Sequence, residues 1–298
     1  GLTLLTFFLE HLLPGSIARA ILGPRANPAE IAQFNRANDL DRPVIYQYVH
    51  YLNQVIHGNL GFSYKLNRSV WTVLRDEVPR DLLLVGASLV LAVAIAIPVG
   101  IAQAVKRNGL LDYSATSVSF LLYSMPSFAF GLILIQIFAI QFNLFPPEAP
   151  QSANVSGLLV HPSGLVLPVA TLTLVSYALF SRYMRSSAID TLTQDYIRTA
   201  RAKGLPERLV LWRHLLRNSL VPIATLVGLS LPAVLTAGLI VEQLFNYPGI
   251  GLQYFTSATQ TDYPVMIGIT LLVGFATVVG NLFADVAYAV LDPRVRYS

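Results

Sequence analysis

The side chains best equipped for chemistry in this chain are its histidines, carboxylates and basic groups, and their spacing limits what they can do. The five histidines (His11, His50, His57, His161 and His214) are scattered and never fall at metal-ligand intervals. The absence of cysteine removes thiolate nucleophiles, disulfides and thiolate-bound metals. No GxxxxGK[ST] phosphate loop occurs, so this chain is not expected to bind ATP itself. Neither a catalytic residue nor a cofactor site is expected. The basic residues, by contrast, are concentrated. Residues 182–217 hold eight Lys and Arg against three Asp and Glu, a local net of +5 in a chain of +4. No basic-aromatic face exists elsewhere, which argues against nucleic acid. What remains is one loop that contacts either a partner protein or lipid headgroups, and the pattern alone weighs these equally.

The loop has a readable shape. Asp195 to Lys203 reads as a short helix. Gly204 sits where a left-handed C-terminal residue is wanted. Pro206 suits the first turn of a second helix over 206–217. There Leu209, Trp212 and Leu216 share a face, with Arg208, Arg213 and Arg217 elsewhere. A helix–glycine–helix elbow of this kind is a good shape for contact.

The elements that carry this elbow are apolar. The chain has 298 residues, 54% hydrophobic and 12% charged, against about 25% charged in an ordinary soluble domain. Its mean hydropathy is +0.57. Disorder is excluded, and a soluble enzyme would aggregate with so few surface charges. A membrane helix needs about 20 apolar residues. Five charge-free stretches meet that length: 82–105, 113–147, 149–181, 218–241 and 263–284. Pro146, Pro147 and Pro150 mark a loop, so helices are expected near 113–141 and 163–186, with 142–162 between them. A shorter stretch over 1–9 reads as a truncated first helix, ended by Pro14-Gly15. A chain that opens on Gly1 rather than Met is expected to continue upstream.

Lys and Arg alternate between the loops. They occur at Lys106 and Arg107, across 182–217, and at Arg294 and Arg296, but not within 142–162 or 242–262; residues 14–80 hold eight more, in a segment long enough to escape the positive-inside rule. The positive-inside rule then puts both termini in the cytoplasm. Residues 14–80 form a polar external segment, and 81–298 the membrane core with a cytoplasmic loop over 187–217. In the external segment Asn27-Pro28-Ala29-Glu30 is a helix start. Asp41-Arg42-Pro43 opens a second helix with Val44, Tyr48, Leu52 and Val55 on one face, and Gly58-Asn59-Leu60-Gly61 ends it.

Polar and small residues within the spans are candidates to line a passage: Ser88, Tyr123, Ser124, Ser127, Thr225, Ser230 and Asn281. Pro126 is expected to bend its helix. Helix–helix packing is the competing role for such residues. Glu10, Glu242 and Asp285 lie near predicted helix ends, so interfacial positions are expected rather than a proton relay. Phe245, Asn246, Tyr247, Pro248 and Gly249 combine aromatics with a turn on the outer side. They read either as structure at the bundle mouth or as a contact for an external binding protein.

Tyr196-Ile197-Arg198-Thr199-Ala200-Arg201-Ala202-Lys203-Gly204-Leu205 resembles the cytoplasmic motif of permease subunits from binding-protein-dependent ABC importers, in the dipeptide/oligopeptide/nickel branch. Leu40-Asp41-Arg42-Pro43 with Gln47-Tyr48, and His57-Gly58-Asn59-Leu60-Gly61, are similar to that family's external segment. Tyr123-Ser124-Met125-Pro126, Phe245-Asn246-Tyr247-Pro248-Gly249-Ile250-Gly251, Asp262-Tyr263-Pro264 and Asp292-Pro293-Arg294 continue the likeness in order. The departures are Asn59, where the family often has Asp, and the missing half of the first helix.

The resemblance implies an all-α polytopic membrane protein of type I importer architecture, with six transmembrane helices, in a bacterial inner membrane. It implies that Arg198, Thr199, Ala200, Arg201, Ala202, Lys203, Gly204 and Leu205 form a coupling helix seated in an ATPase subunit. Arg201 and Lys203 would pair with that partner. The implied assembly adds a second homologous permease, two ATP-binding subunits holding ATP and Mg, and an extracytoplasmic binding protein. Short peptides are the expected cargo, with nickel or another small solute as the alternative. A stand-alone secondary transporter or channel would need buried charge pairs or paired broken repeats, and a membrane enzyme would need intramembrane acid or histidine clusters.

Overall fold

The computed structural model describes residues 17–23, 25–37 and 39–291, together with Leu4 and Phe7. The expected partial helix over 1–13, Glu10, the side chain of Asp285, and the Asp292-Pro293-Arg294 motif with Arg296 lie outside the described residues. Helices α1 (Ile17–Leu22), α2 (Pro28–Ala37) and α3 (Val44–Ile56) come first. Asn27 and Glu30 cap α2 reciprocally: Asn27 Oδ1 accepts the Glu30 N–H at 2.8 Å and Glu30 Oε2 accepts the Asn27 N–H at 3.0 Å. Gly58 and Gly61 take φ of +80° and +96° after α3, values open to glycine at little cost. A small antiparallel hairpin, β1 (Phe62–Ser63) with β2 (Arg68–Ser69), pairs Phe62 with Ser69 and Ser63 with Arg68.

The Ser69 side chain accepts the Thr72 N–H and starts α4 (Val70–Val105), a helix of 36 residues. The charge-free stretch that marks this span starts at 82. The helix begins three turns earlier, because its charged first turns find tertiary partners. The helix expected over 113–141 is broken. It runs as α5 (Leu110–Ser124), then α6 (Ser127–Leu134) extended by a π-helical stretch (Ile135–Gln141), with a 109° bend at the break. Pro126 has no N–H to donate and forces Met125 out of the helical region, to φ −90° and ψ 134°.

After the short α7 (Val155–Val160), a 3-10 turn (Pro162–Leu165) leads into α8 (Val166–Leu192). The elbow helix α9 (Asp195–Ala202) follows. Beyond Pro206, α10 (Glu207–Leu209), a π-helical stretch (Val210–Leu215) and α11 (Leu216–Leu244) form one continuous run. The second elbow helix therefore does not stop at 217, where no glycine or proline breaks it. The chain closes with α12 (Ile250–Thr259) and α13 (Tyr263–Leu291).

The bundle is built around α4 and α8, which pack more extensively than any other pair. Thr173 Oγ1 donates to the Ser88 carbonyl at 3.3 Å, and a Cβ at Gly100 would lie 2.7 Å from Met184 Cβ. These contacts run in the same order along both helices, so α4 and α8 are parallel. One apolar cluster (Leu84, Leu172, Val241, Phe245, Tyr247) packs the helix ends near the 245–249 turn, and another (Met184, Ile197, Ala200, Val210, Leu215) ties the elbow to the bundle. Among the described residues three helices are long and apolar enough to cross a membrane, or five if each of two bent runs, 110–141 and 207–244, counts as one span.

Candidate functional site

The elbow is held by a hydrogen-bonded cap and three apolar anchors. The Gly204 N–H donates to the Arg201 carbonyl at 2.9 Å, and the Leu205 N–H to the Ala200 carbonyl at 3.3 Å. This is a Schellman cap, and it requires the left-handed φ of +74° that Gly204 adopts. Ile197 is fully buried, Ala200 nearly so, and Leu205 packs against the same cluster. Arg198, Thr199, Arg201, Ala202, Lys203 and Gly204 are exposed. The helix thus shows one polar face while its apolar edge is tied to the bundle.

Arg201 was expected to pair with a partner, but it is engaged within the chain. Its guanidinium grips Glu207 in a fork, Nε to Oε2 at 3.1 Å and Nη2 to Oε1 at 2.6 Å, closing the elbow across Gly204. The Arg201 hydrogen bonds hold the Glu207 carboxyl below its usual range. The clasp is therefore present at neutral pH and is lost as pH falls through that lowered value. Lys203 makes no ion pair among the described residues. Leu209 and Trp212 are exposed, and Val210 and Leu215 are the buried pair instead. The π-helical stretch widens the turn and rotates the expected apolar face outward.

Two polar clusters escaped sequence reading. Arg185 on α8 makes a bidentate pair with Asp112 on α5, Nε–Oδ1 2.6 Å and Nη2–Oδ2 2.7 Å. Asp112 is 2% exposed and also accepts the Asn108 N–H, which closes the turn between α4 and α5. Beside it, Gln103 links Ser181 and Thr116 at 3.0 and 3.1 Å. The second cluster surrounds the turn at 245–249. Glu242 lies two residues before the end of α11 and is fully buried there. Its Oε2 accepts the Gly251 N–H at 2.6 Å, and Asp81 Oδ1 accepts the Ile250 N–H at 2.8 Å. The two carboxyls thus cap the start of α12, where free N–H groups and the helix dipole favour them. A Cβ at Gly249 would meet both, 2.4 Å from Glu242 Oε2 and 2.5 Å from Asp81 Oδ1.

Of the two readings of this turn, its packing favours structure at the bundle mouth. Phe245 and Tyr247 are fully buried, and Tyr247 donates its hydroxyl to the Arg80 carbonyl at 2.6 Å. Gly249 is buried with them, while Asn246 and Pro248 are half-buried. Asn246, at φ +49°, donates to Glu148 Oε2 at 3.1 Å. The two aromatic rings pack in the apolar cluster that holds the loops together.

The passage candidates divide. Ser88 is fully buried, donating to the Leu84 carbonyl at 2.7 Å, and Ser230 is 6% exposed, bonded to the Leu226 carbonyl. Both serve packing, because a hydroxyl that satisfies a carbonyl inside the bundle has no free surface. Thr225 and Ser127 are half-buried, while Tyr123, Ser124 and Asn281 are exposed. The structure gathers Tyr123, Ser124 and Ser127 at the break around Pro126 and leaves the others apart.

A multi-helix apolar bundle with a broken span and a capped basic elbow is the architecture of a transport system's membrane component. The chain belongs to the family of binding-protein-dependent transport system inner membrane components, whose model matches residues 96–297, with the model of that family's N-terminal part matching residues 2–85. It is 37% identical to the oligopeptide transport system permease protein AppB of Bacillus subtilis (strain 168), over all of this chain and 95% of the relative. It is 34% identical to the dipeptide transport system permease protein DppB of Escherichia coli (strain K12), again over 100% of this chain and 95% of the relative. Identity to the glutathione transport system permease protein GsiC of Escherichia coli O6:H1 is 34%, over 99% of this chain and 94% of the relative. The crystal structure of an amino acid ABC transporter with histidines shares the fold, with a TM-score of 0.51 at 16% identity, over 80% of this chain and 97% of that one. The chain is a multi-pass protein of the cytoplasmic membrane.

Proposed function

We propose that this chain is a permease subunit of an ATP-driven peptide importer, forming half of a passage through the cytoplasmic membrane. The observation that carries the reading is the likeness, over the whole length of the chain, to relatives named as oligopeptide and dipeptide permeases. Six membrane helices, both termini in the cytoplasm and a helical external segment over 14–80 complete the topology. A second, homologous permease supplies the other half. Two ATP-binding subunits hold ATP and Mg, and an extracytoplasmic binding protein delivers cargo.

The elbow transmits the force. Ile197, Ala200 and Leu205 tie it to α8 and the run that begins at Glu207, so a push on its exposed face moves both helices as a body. ATP binding closes the ATPases and opens the passage outward, and hydrolysis resets it. The chain needs no catalytic group of its own. The test is ATP-driven uptake of a labelled dipeptide by the assembled complex in proteoliposomes. Uptake that needs both ATP and the binding protein supports the reading, and uptake by this chain alone refutes it.

A further inference from the structure

Arg182 lies on α8 ten residues before its end, is exposed, and has no acidic partner among the described residues. Its guanidinium sits 5.3 Å from the centre of the Tyr123 ring, and Tyr123 is itself 55% exposed. The Gly100–Met184 contact sets Arg182 level with Pro98, eight residues before Lys106 at the end of α4. At about 1.5 Å per residue that is about 12 Å from the end of α4. Charged side chains within membrane helices turn to the bundle interior or to a water-filled cavity rather than to lipid.

The polar surface continues toward the loop. A cavity of about 480 Å³ is lined by Tyr183, Ser186, Ser187, Asp190, Gln194 and Asn218. Asp190 is exposed and makes no ion pair among the described residues. Arg182 and Asp190 therefore lie on adjoining faces of α8, about 12 Å apart along its axis. An extended chain of three residues spans about 10–11 Å. A cation and an anion at that separation, joined by hydroxyls and amides, match the two charged ends of a short peptide.

We propose that Arg182, backed by the Tyr123 ring, receives the C-terminal carboxylate of a short peptide in transit, and that Asp190 receives its ammonium end. This rests on the reading of the chain as a peptide permease. It gives α8 a station selective for free termini, distinct from whatever selection the binding protein makes.

The test uses the assembled complex of both permeases and both ATPases in nanodiscs, without nucleotide or binding protein. Binding of radiolabelled Ala-Ala-Ala is compared with that of its C-terminal amide by equilibrium dialysis. Wild type should hold the acid about tenfold tighter than the amide, the scale of one charge-assisted hydrogen bond. Arg182→Gln should erase that preference and Arg182→Lys keep part of it, while Asp190→Asn should weaken Ala-Ala-Ala but not its N-acetyl form. Equal wild-type binding of acid and amide, binding of neither, or an unchanged preference in Arg182→Gln overturns the proposal. The wild-type comparison needs no variant to fold. ATP-driven uptake of Ala-Ala-Ala by wild type with its binding protein separates the two readings. If uptake fails, the permease reading fails; if uptake succeeds without an acid preference in the binding assay, only this inference does.

Discussion

Gly204→Val is the sharpest perturbation of the elbow. A Cβ built on Gly204 meets nothing within 4 Å, so the substitution causes no clash inside the chain. The whole cost is conformational. Gly204 holds φ of +74°, where an ordinary L-residue is destabilised by about 1–2 kcal/mol and a β-branched one by more. The chain escapes that cost by leaving the left-handed region, which breaks the Gly204–Arg201 and Leu205–Ala200 hydrogen bonds and frees Leu205 from its anchor. About 1.4 kcal/mol is a factor of ten in population, so the capped elbow should fall about tenfold relative to open forms. The assay is peptide transported per ATP hydrolysed in proteoliposomes, with ATPase activity measured in parallel. Gly204→Val should lower that ratio, by up to about tenfold. Gly204→Asn should stay near wild type, because Asn accepts the left-handed region more readily. Wild-type coupling in the valine variant, or equal defects in valine and asparagine, would refute the reasoning.

Other expectations follow from the buried contacts. In Gly251→Ala the new methyl would lie 2.4 Å from Leu239 Cα and 2.6 Å from its carbonyl oxygen; as backbone cannot yield, thermal denaturation of the purified complex should show a marked loss of stability. Glu242→Ala leaves the Gly251 N–H buried without an acceptor and should cost about 1–3 kcal/mol, whereas Glu242→Gln keeps an acceptor oxygen and should cost less; the same denaturation experiment compares them. Asp112→Asn weakens the fork from Arg185 and should cost about 2–3 kcal/mol, with the paired exchange Asp112→Arg and Arg185→Asp recovering part of the loss in a double-mutant cycle.

Local signals were the legible ones. Asn27 and Glu30 announce their capping box, Gly204 its left-handed cap, and Pro126 its break, because each acts within a few residues. The long-range pairs were hidden by the rule that found the spans. A charge-free window treats Asp81, Asp112, Arg182 and Glu242 as borders, since they bound the stretches 82–105, 113–147, 149–181 and 218–241. In the folded chain these borders meet partners: Asp112 with Arg185, and Asp81 with Glu242 at the start of α12. Which charges a helix keeps inside depends on neighbours distant in sequence. Phe245 and Tyr247 left two readings open for a related reason. An aromatic turn looks the same in sequence whether it waits for a partner or closes a core, and only the burial of both rings decides it. The extra backbone residue of the π-helical stretch likewise moved Leu209 and Trp212 outward, a shift that a 3.6-residue period does not foresee.

The central claim is that this chain moves peptides only when partner ATPases act on its elbow. The direct measurement is uptake of a radiolabelled dipeptide into proteoliposomes holding both permeases and the binding protein, with and without the ATP-binding subunits. ATP-dependent accumulation that needs those subunits, and that Gly204→Val suppresses, is the predicted result. Accumulation that proceeds without them, or that ignores the elbow, would contradict it.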